Sequence, residues 1–207
     1  MSTKPKSIDY EQFLDENPGL ALEEGGMHFE GGSAVHNALD RICRRLDELQ
    51  VSYAVVGGMA LFLHGYRRFT EDVDILVTAE GLRRIHDELE GRGYRPLFEG
   101  SRALRDTDGG VRVEFLVAGE YPGDGKPQPI SFPDPDQVAV EFEGIRCLSL
   151  EALVQLKLAS GSTPGRRKDL GDVQELIRQL ELPKAFADKL ESSVQDLYEE
   201  LWLEIHS

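Results

Sequence analysis

Residues 53–77, YAVVGGMALFLHGYRRFTEDVDILV, decide how this chain is read. The stretch opens on four strand-forming residues, Tyr53 to Val56, and turns at Gly57-Gly58 straight into the apolar run MALFLH. It then ends on a second strand in which Asp72 and Asp74 alternate with Val73, Ile75 and Val77. Successive side chains of a strand point to opposite faces, so the two aspartates share one side and repel each other. Something positive belongs between them. Hard, paired carboxylate oxygens of this kind suit Mg²⁺ or Mn²⁺.

The flanking features point the same way. A strand that hands over to a helix at a Gly-Gly turn leaves free backbone N–H groups, and glycine lets an anion come close, which suits a triphosphate. A Gly-Gly turn also arises for steric reasons alone. Further on, VRVEFLV carries one acid, Glu114, between Val113 and Phe115 in a largely apolar strand. If that strand lies beside the first, Glu114 is a third metal ligand. Glu120 and Asp108 compete for that place, although neither is embedded in an apolar strand. Two divalent ions about 4 Å apart bind a triphosphate, activate an attacking hydroxyl and stabilise the leaving oxygen, which is the chemistry of phosphoryl or nucleotidyl transfer.

A Gly-Gly turn, a strand Asp-x-Asp and a third acid on a later strand resemble the DNA polymerase beta-like nucleotidyltransferase superfamily. Thirteen residues separate Gly58 from Asp72, within that superfamily's usual window. The text GGMALFLHGYRRFTEDVDILV looks like the bacterial AbiEii-type nucleotidyltransferases, over roughly residues 35–180. The resemblance implies an α+β nucleotidyltransferase fold, a mixed β-sheet flanked by helices with a helical C-terminal part. It implies that Gly57 and Gly58 hold an NTP, that Asp72, Asp74 and Glu114 bind two Mg²⁺ ions, and that an acceptor hydroxyl attacks the α-phosphorus with pyrophosphate leaving.

The C-terminal part adds a second clue. In the helix after Ser149, Leu150, Leu153, Val154 and Leu158 define an apolar stripe with Lys157 in its middle. In the next helix Leu170, Val173, Leu176, Ile177 and Leu180 define the buried face, with Asp169 on its margin and Asp172 further round. The segment KLASGSTPGRRKDLGDV is similar to the AbiEii-type arrangement of a lysine followed by a basic-Asp-x-x-Asp sequence. Lys157 either reaches nucleotide phosphates, with Asp169 positioning it or contributing to catalysis, or forms with Asp169 a buried pair that registers two helices. Arg68 is placed to contact phosphate or an acidic neighbour. His64, in the last helical turn before a glycine, is read as structural, favoured there by the helix dipole.

Composition bounds the rest. The chain has 207 residues, 40% of them apolar, and a formal net charge of −15. That length suits one domain with a helical extension, or two small ones. The charge argues against broad nonspecific binding to nucleic acid, which relies on Lys and Arg neutralising phosphates. Arg67-Arg68 and Arg166-Arg167-Lys168 are the two local positive clusters. No apolar run reaches the roughly 20 residues that cross a bilayer, and the first residues lack a signal-peptide core, so the expectation is a cytoplasmic protein without a membrane partner. Cys43 and Cys147 read as two buried thiols.

Three parts follow from the pattern: an N-terminal arm or loosely docked segment, 1–32; a core, 33–148; and a helical part, 149–207. Within them the spacing predicts helices over about 33–50, 79–94 with Gly91 and Gly93 near its end, 149–160, 166–180 and 183–205. It predicts strands at 103–106 and 111–117 around the DTDGG turn, a long Pro/Gly rim loop, and a last hairpin in VAVEFEGIRCLS. The expected activity is NTP-dependent transfer, toxin-like in one reading. The alternatives are a silent binding or regulatory protein, antitoxin-like, and a regulator that binds NTP without transfer. The acceptor, whether a small molecule, a protein or RNA, is open, as is a cognate toxin–antitoxin partner.

Overall fold

The structure, a computed structural model, describes residues 9–207. Its centre is a seven-stranded mixed sheet in the order β3-β4-β5-β2-β1-β7-β6. The strands are β1 (Tyr53–Val56), β2 (Asp72–Val77), β3 (Tyr94–Pro96), β4 (Leu104–Asp106), β5 (Arg112–Val117), β6 (Ala139–Phe142) and β7 (Ile145–Leu148). β1 runs antiparallel to β2 and parallel to β7, and β2 runs parallel to β5. The DTDGG turn closes an antiparallel hairpin between β4 and β5, and VAVEFEGIRCLS closes β6 onto β7, as the turn chemistry predicts. The short edge strand β3 is absent from the pattern reading, because three residues are too few to show a period.

The two faces of the sheet differ. Tyr53 is in register with Val77 and lies beside Cys43 and Asp47 of the helix that precedes it. That helix, α3 (Ala34–Glu48), therefore covers the face of Val73, Ile75 and Val77, away from Asp74. It begins where expected, at Ser33, whose side chain accepts the backbone N–H of His36. Helix α5 (Ala79–Leu89) starts at Thr78, which caps it through Gly81 N–H at 3.0 Å. Cys43 and Cys147 are free and buried. The other face, which carries the aspartates, is walled by α7 (Leu150–Gly161), packed on α8 (Arg167–Gln179).

Two expectations are corrected. Residues 1–8 lie outside the described residues, but 9–30 are not loosely docked. They carry α1 (Tyr10–Glu16) and α2 (Pro18–Glu30), and Tyr10, Leu14 and His28 are buried. Single anchors rather than a stripe hold them. Tyr10 Oη donates to Glu24 at 2.8 Å, and Arg105 pairs with Asp9 at 3.1 Å and Glu11 at 2.7 Å. Leu22 remains 80% exposed, which is why no periodicity shows. The last predicted helix is two pieces, a 3₁₀ turn (Lys184–Lys189) and α9 (Ser192–His206), with Glu191 capping the second through Ser193 N–H. Tyr198 Oη donates to Pro183 O at 3.2 Å and Trp202 Nε1 to Leu182 O at 3.0 Å, which ties α9 back to the segment just before the 3₁₀ turn.

The junction of α2 and α3 is held by neutral histidines. His28 Nε2 meets the carbonyl of Arg68 at 3.0 Å, and Ser33 Oγ meets His36 Nδ1 at 2.9 Å. Burial pushes both rings below the ordinary 6.5, His36 to about 4. A ring with a depressed folded pKa binds fewer protons than the unfolded chain between those values, so stability falls as pH drops from 6.5 toward 4. Thermal unfolding over that window should show a shallower loss in His36→Asn than in wild type. Parallel curves would contradict this account.

Candidate active site

The parallel pairing of β2 with β5 builds the acidic centre. Asp74 is in register with Glu114, and Asp72 with Arg112, so all four side chains rise from one face of neighbouring strands. Glu114 is thus beside the aspartates, as its strand position requires. Glu120 instead pairs with Arg102 at 2.6 Å, and Asp108 lies in the β4–β5 turn. Desolvation, and then the like charges of Asp72 and Glu114, push Asp74 up to about 7.

The positive group between the acids is a residue that pattern reading missed. Arg112 Nη2 donates to Asp72 Oδ2 at 2.8 Å and lies 3.1 Å from Glu114 Oε2. Its signal was available: Arg112 is two residues before Glu114 in a strand, hence on the same face. Thr70 Oγ1 donates to the other Asp72 oxygen at 2.8 Å. In this arrangement no group of three His, Cys, Asp or Glu side chains among the described residues is closed around a metal position. The donor set nonetheless fits a hard divalent cation. It comprises three carboxylates on one face, one of them, Asp74, pushed up to about 7 by burial and by the like charge of its neighbours.

The glycine turn belongs to the same centre. Gly57 opens α4 (Gly57–Leu63) with φ 62°, in the left-handed region. A Cβ there would fall 1.9 Å from Asp74 Oδ2, and one on Gly58 would fall 2.8 Å from Thr70 Cβ. The turn must therefore be bare so that the carboxylate can lie against its backbone.

Across the cleft stands a buried ion network. Lys157, 6% exposed, donates to Asp169 Oδ1 at 2.9 Å and Asp172 Oδ2 at 2.7 Å. Arg68 Nε lies 3.0 Å from Asp172 Oδ1. Ser160 Oγ donates to Asp169 Oδ2 at 2.8 Å. Burial raises Asp169, but Lys157 and Ser160 outweigh it and hold the carboxyl below its ordinary range. Asp172 lies further round the helix, as its phase requires, yet it is 3% exposed because Lys157 and Arg68 pair with it there. Arg67 leaves the cleft to donate to Phe29 O at 2.9 Å, so the Arg67-Arg68 pair splits. His64 is structural, yet by a different cause from the helix dipole. Burial lowers its pKa, and its Nε2 bonds Leu148 O at 2.7 Å.

These walls enclose about 420 Å³, lined among others by Gly57, Asp74, Glu114, Arg68, Lys157 and Asp169. Arg166 and Lys168 reach its rim, and Gly123 of the long Pro/Gly loop presses on Thr163 between α7 and α8. One end of the cleft is anionic, and the opposite wall carries Lys157 and Arg68 paired with Asp169 and Asp172, with Arg166 and Lys168 beside them.

Two substitutions test this geometry. Gly57→Ala forces Asp74 aside and adds left-handed strain of roughly 1–2 kcal/mol, so it should lower the unfolding midpoint. An unchanged midpoint would show that the turn has room. Lys157→Met leaves Asp169 and Asp172 short of a counter-ion and should cost about 3–5 kcal/mol in denaturant unfolding, partly recovered by adding Asp172→Asn. A cost below about 1 kcal/mol would mean that the network is solvated.

A family model described as an uncharacterised nucleotidyltransferase matches residues 23–200. Among solved structures, ANT(2″)-Ia in complex with adenylyl-2″-tobramycin is similar with a TM-score of 0.51 and 14% identity, over 83% of this chain and 98% of that one. The solution structure of the antibiotic-resistance factor ANT(2″)-Ia gives a TM-score of 0.51 and 17% identity, over 82% of this chain and 96% of that one. No curated protein matches the sequence. At those identities the structural likeness establishes the fold, a mixed sheet with flanking helices, while the family match spans most of the chain. The chain belongs to the uncharacterised nucleotidyltransferase family, and it is an enzyme of the nucleotidyltransferase class.

Proposed function

We propose that the cleft transfers a nucleoside monophosphate from an NTP to an acceptor hydroxyl and releases pyrophosphate, with Mg²⁺ or Mn²⁺ as cofactor. The observation that carries this reading is the register of Asp74 with Glu114, with Asp72 on the same face and the bare Gly57 turn against Asp74. Asp72, Asp74 and Glu114 are the proposed metal ligands; ions bound there supply the positive charge that polarises the phosphate and the attacking hydroxyl.

The chain's own groups do the positioning. Backbone N–H groups at Gly57 and Gly58 orient the triphosphate. Lys157 and Arg68 present fixed positive charge from the opposite wall, and Asp169 holds the lysine in place. The new bond forms between the acceptor oxygen and the α-phosphorus as the bond to the bridging oxygen breaks. Holding the two partners in line inside the cleft is the main source of rate. In this reading the catalytic core is 33–148, and the helical part 149–207 supplies the second wall.

The similarly folded ANT(2″)-Ia bound to adenylyl-2″-tobramycin favours a small-molecule acceptor, with protein and RNA hydroxyls as the other classes. The Lys168-Asp169-x-x-Asp172 text, with both acids on Lys157, supports kinship with AbiEii-type enzymes and a toxin-like role with a cognate partner. A second reading, a silent member acting as a binding or antitoxin-like protein, is favoured by the ion pairs that Arg112 makes with Asp72 and Glu114.

Pyrophosphate release from the four NTPs, with candidate acceptors, separates the two readings. Asp72→Asn, Asp74→Asn and Glu114→Gln should each lower turnover roughly 100-fold or more while the fold persists. Turnover unchanged in both aspartate variants would remove the metal-site reading. Since Asp74 titrates near 7 against the ordinary 3.8, the metal-free protein loses stability as pH rises between those values. Asp74→Asn should therefore raise the metal-free unfolding midpoint at pH 7, with the gain fading toward pH 4. A lower midpoint at pH 7 would contradict the charge account.

A further inference from the structure

The three acids are not equally available. The Asp74 carboxylate makes no side-chain hydrogen bond or ion pair among the described residues, whereas those of Asp72 and Glu114 are both held by the one guanidinium of Arg112. Arginine stays charged at any working pH and forms its strongest pairs with carboxylates, so while seated it offsets one of the pair's two negative charges. The other cation of the cleft, Lys157, cannot substitute, because it is committed to Asp169 and Asp172.

We propose that Arg112 is the resident counter-cation of the acidic centre, and that a divalent ion enters through Asp74 and displaces the guanidinium from Asp72 and Glu114. This inference rests on the metal-dependent reading above. Three features make the exchange feasible. The Arg112 side chain is 35% exposed and borders the open cleft, so it has somewhere to go. Its buried Nε has no hydrogen-bond partner, so its seat is set by charge rather than by a complete hydrogen-bond set. Three carboxylates against one guanidinium leave the centre negative, so a divalent ion is still attracted while Arg112 is in place. Arg112 then acts as a positioning residue: it keeps the acids folded together without metal and lowers the apparent metal affinity by the fraction of molecules in which it is seated.

The test is calorimetric titration of the full chain with Mn²⁺, without nucleotide, paired with thermal unfolding. In Arg112→Gln, Mn²⁺ should bind about tenfold more tightly than in wild type. Its metal-free midpoint should fall, and saturating Mn²⁺ should restore it to the wild-type level or above. A residue that merely supports the fold would give the fall without the tighter binding or the rescue. Arg112→Lys, which keeps the charge but loses the fork, serves if the glutamine variant does not fold, and should lie between the two. Mn²⁺ affinity unchanged or weaker in both variants, with binding abolished in Asp74→Asn, overturns the role of Arg112 and leaves the metal site standing. Mn²⁺ binding that survives Asp74→Asn overturns the metal site itself.

Discussion

Three carboxylates crowd one face of two parallel strands, and the rest of the cleft answers to their repulsion. The pairing of β2 with β5 sets Asp74 directly beside Glu114. Nothing about a sheet favours that placement, since like charges on directly neighbouring positions destabilise the pair. The molecule offsets the cost locally by seating Arg112 between Asp72 and Glu114 and by giving Asp72 a hydroxyl from Thr70, while Asp74, buried beside two like charges, is pushed up to about 7. Strain of this kind, retained in an otherwise well-packed core, is what a functional centre looks like in physical terms.

The scaffold around that centre divides its work between the two faces of the sheet. On one face α3 buries Val35, Ile42 and Leu46 and packs on β2 and β7. On the other, α7 and α8 leave a cleft and face it with fixed charge. Lys157, Asp169, Asp172 and Arg68 form a network in which each buried charge has an opposite partner, so the wall stays polar without being unstable. The helices and the sheet are joined through that network, since Arg68 comes from the segment before β2 and Asp172 from α8.

Much of this was legible in the chain itself, and the reason is periodicity. Alternation in EDVDILV and VRVEFLV placed the acids on one face, and the helical spacing around Lys157 marked it as buried. What escaped reading depends on single contacts. Arg112 lies in the same alternating stretch as Glu114 but was overlooked, because a charged residue near a strand end reads as solvated. Asp172 looked peripheral because helix phase cannot show that Lys157 and Arg68 will pair with it there. The N-terminal helices dock through Tyr10, Leu14 and His28 and leave Leu22 outside, so no stripe advertises them. The break before α9 follows from the Glu191 cap and two long-range bonds to Leu182 and Pro183. In each case the missing information is tertiary.

The central claim is that the acidic centre and the glycine turn form one joint site for metal and nucleotide. Thermal unfolding with Mg²⁺, with each of the four NTPs, and with both together, in wild type and Asp74→Asn, tests it most directly. The account predicts a rise in midpoint that needs metal and one nucleotide jointly and vanishes in the variant. No rise with any nucleotide, or a rise that persists in Asp74→Asn, would contradict it.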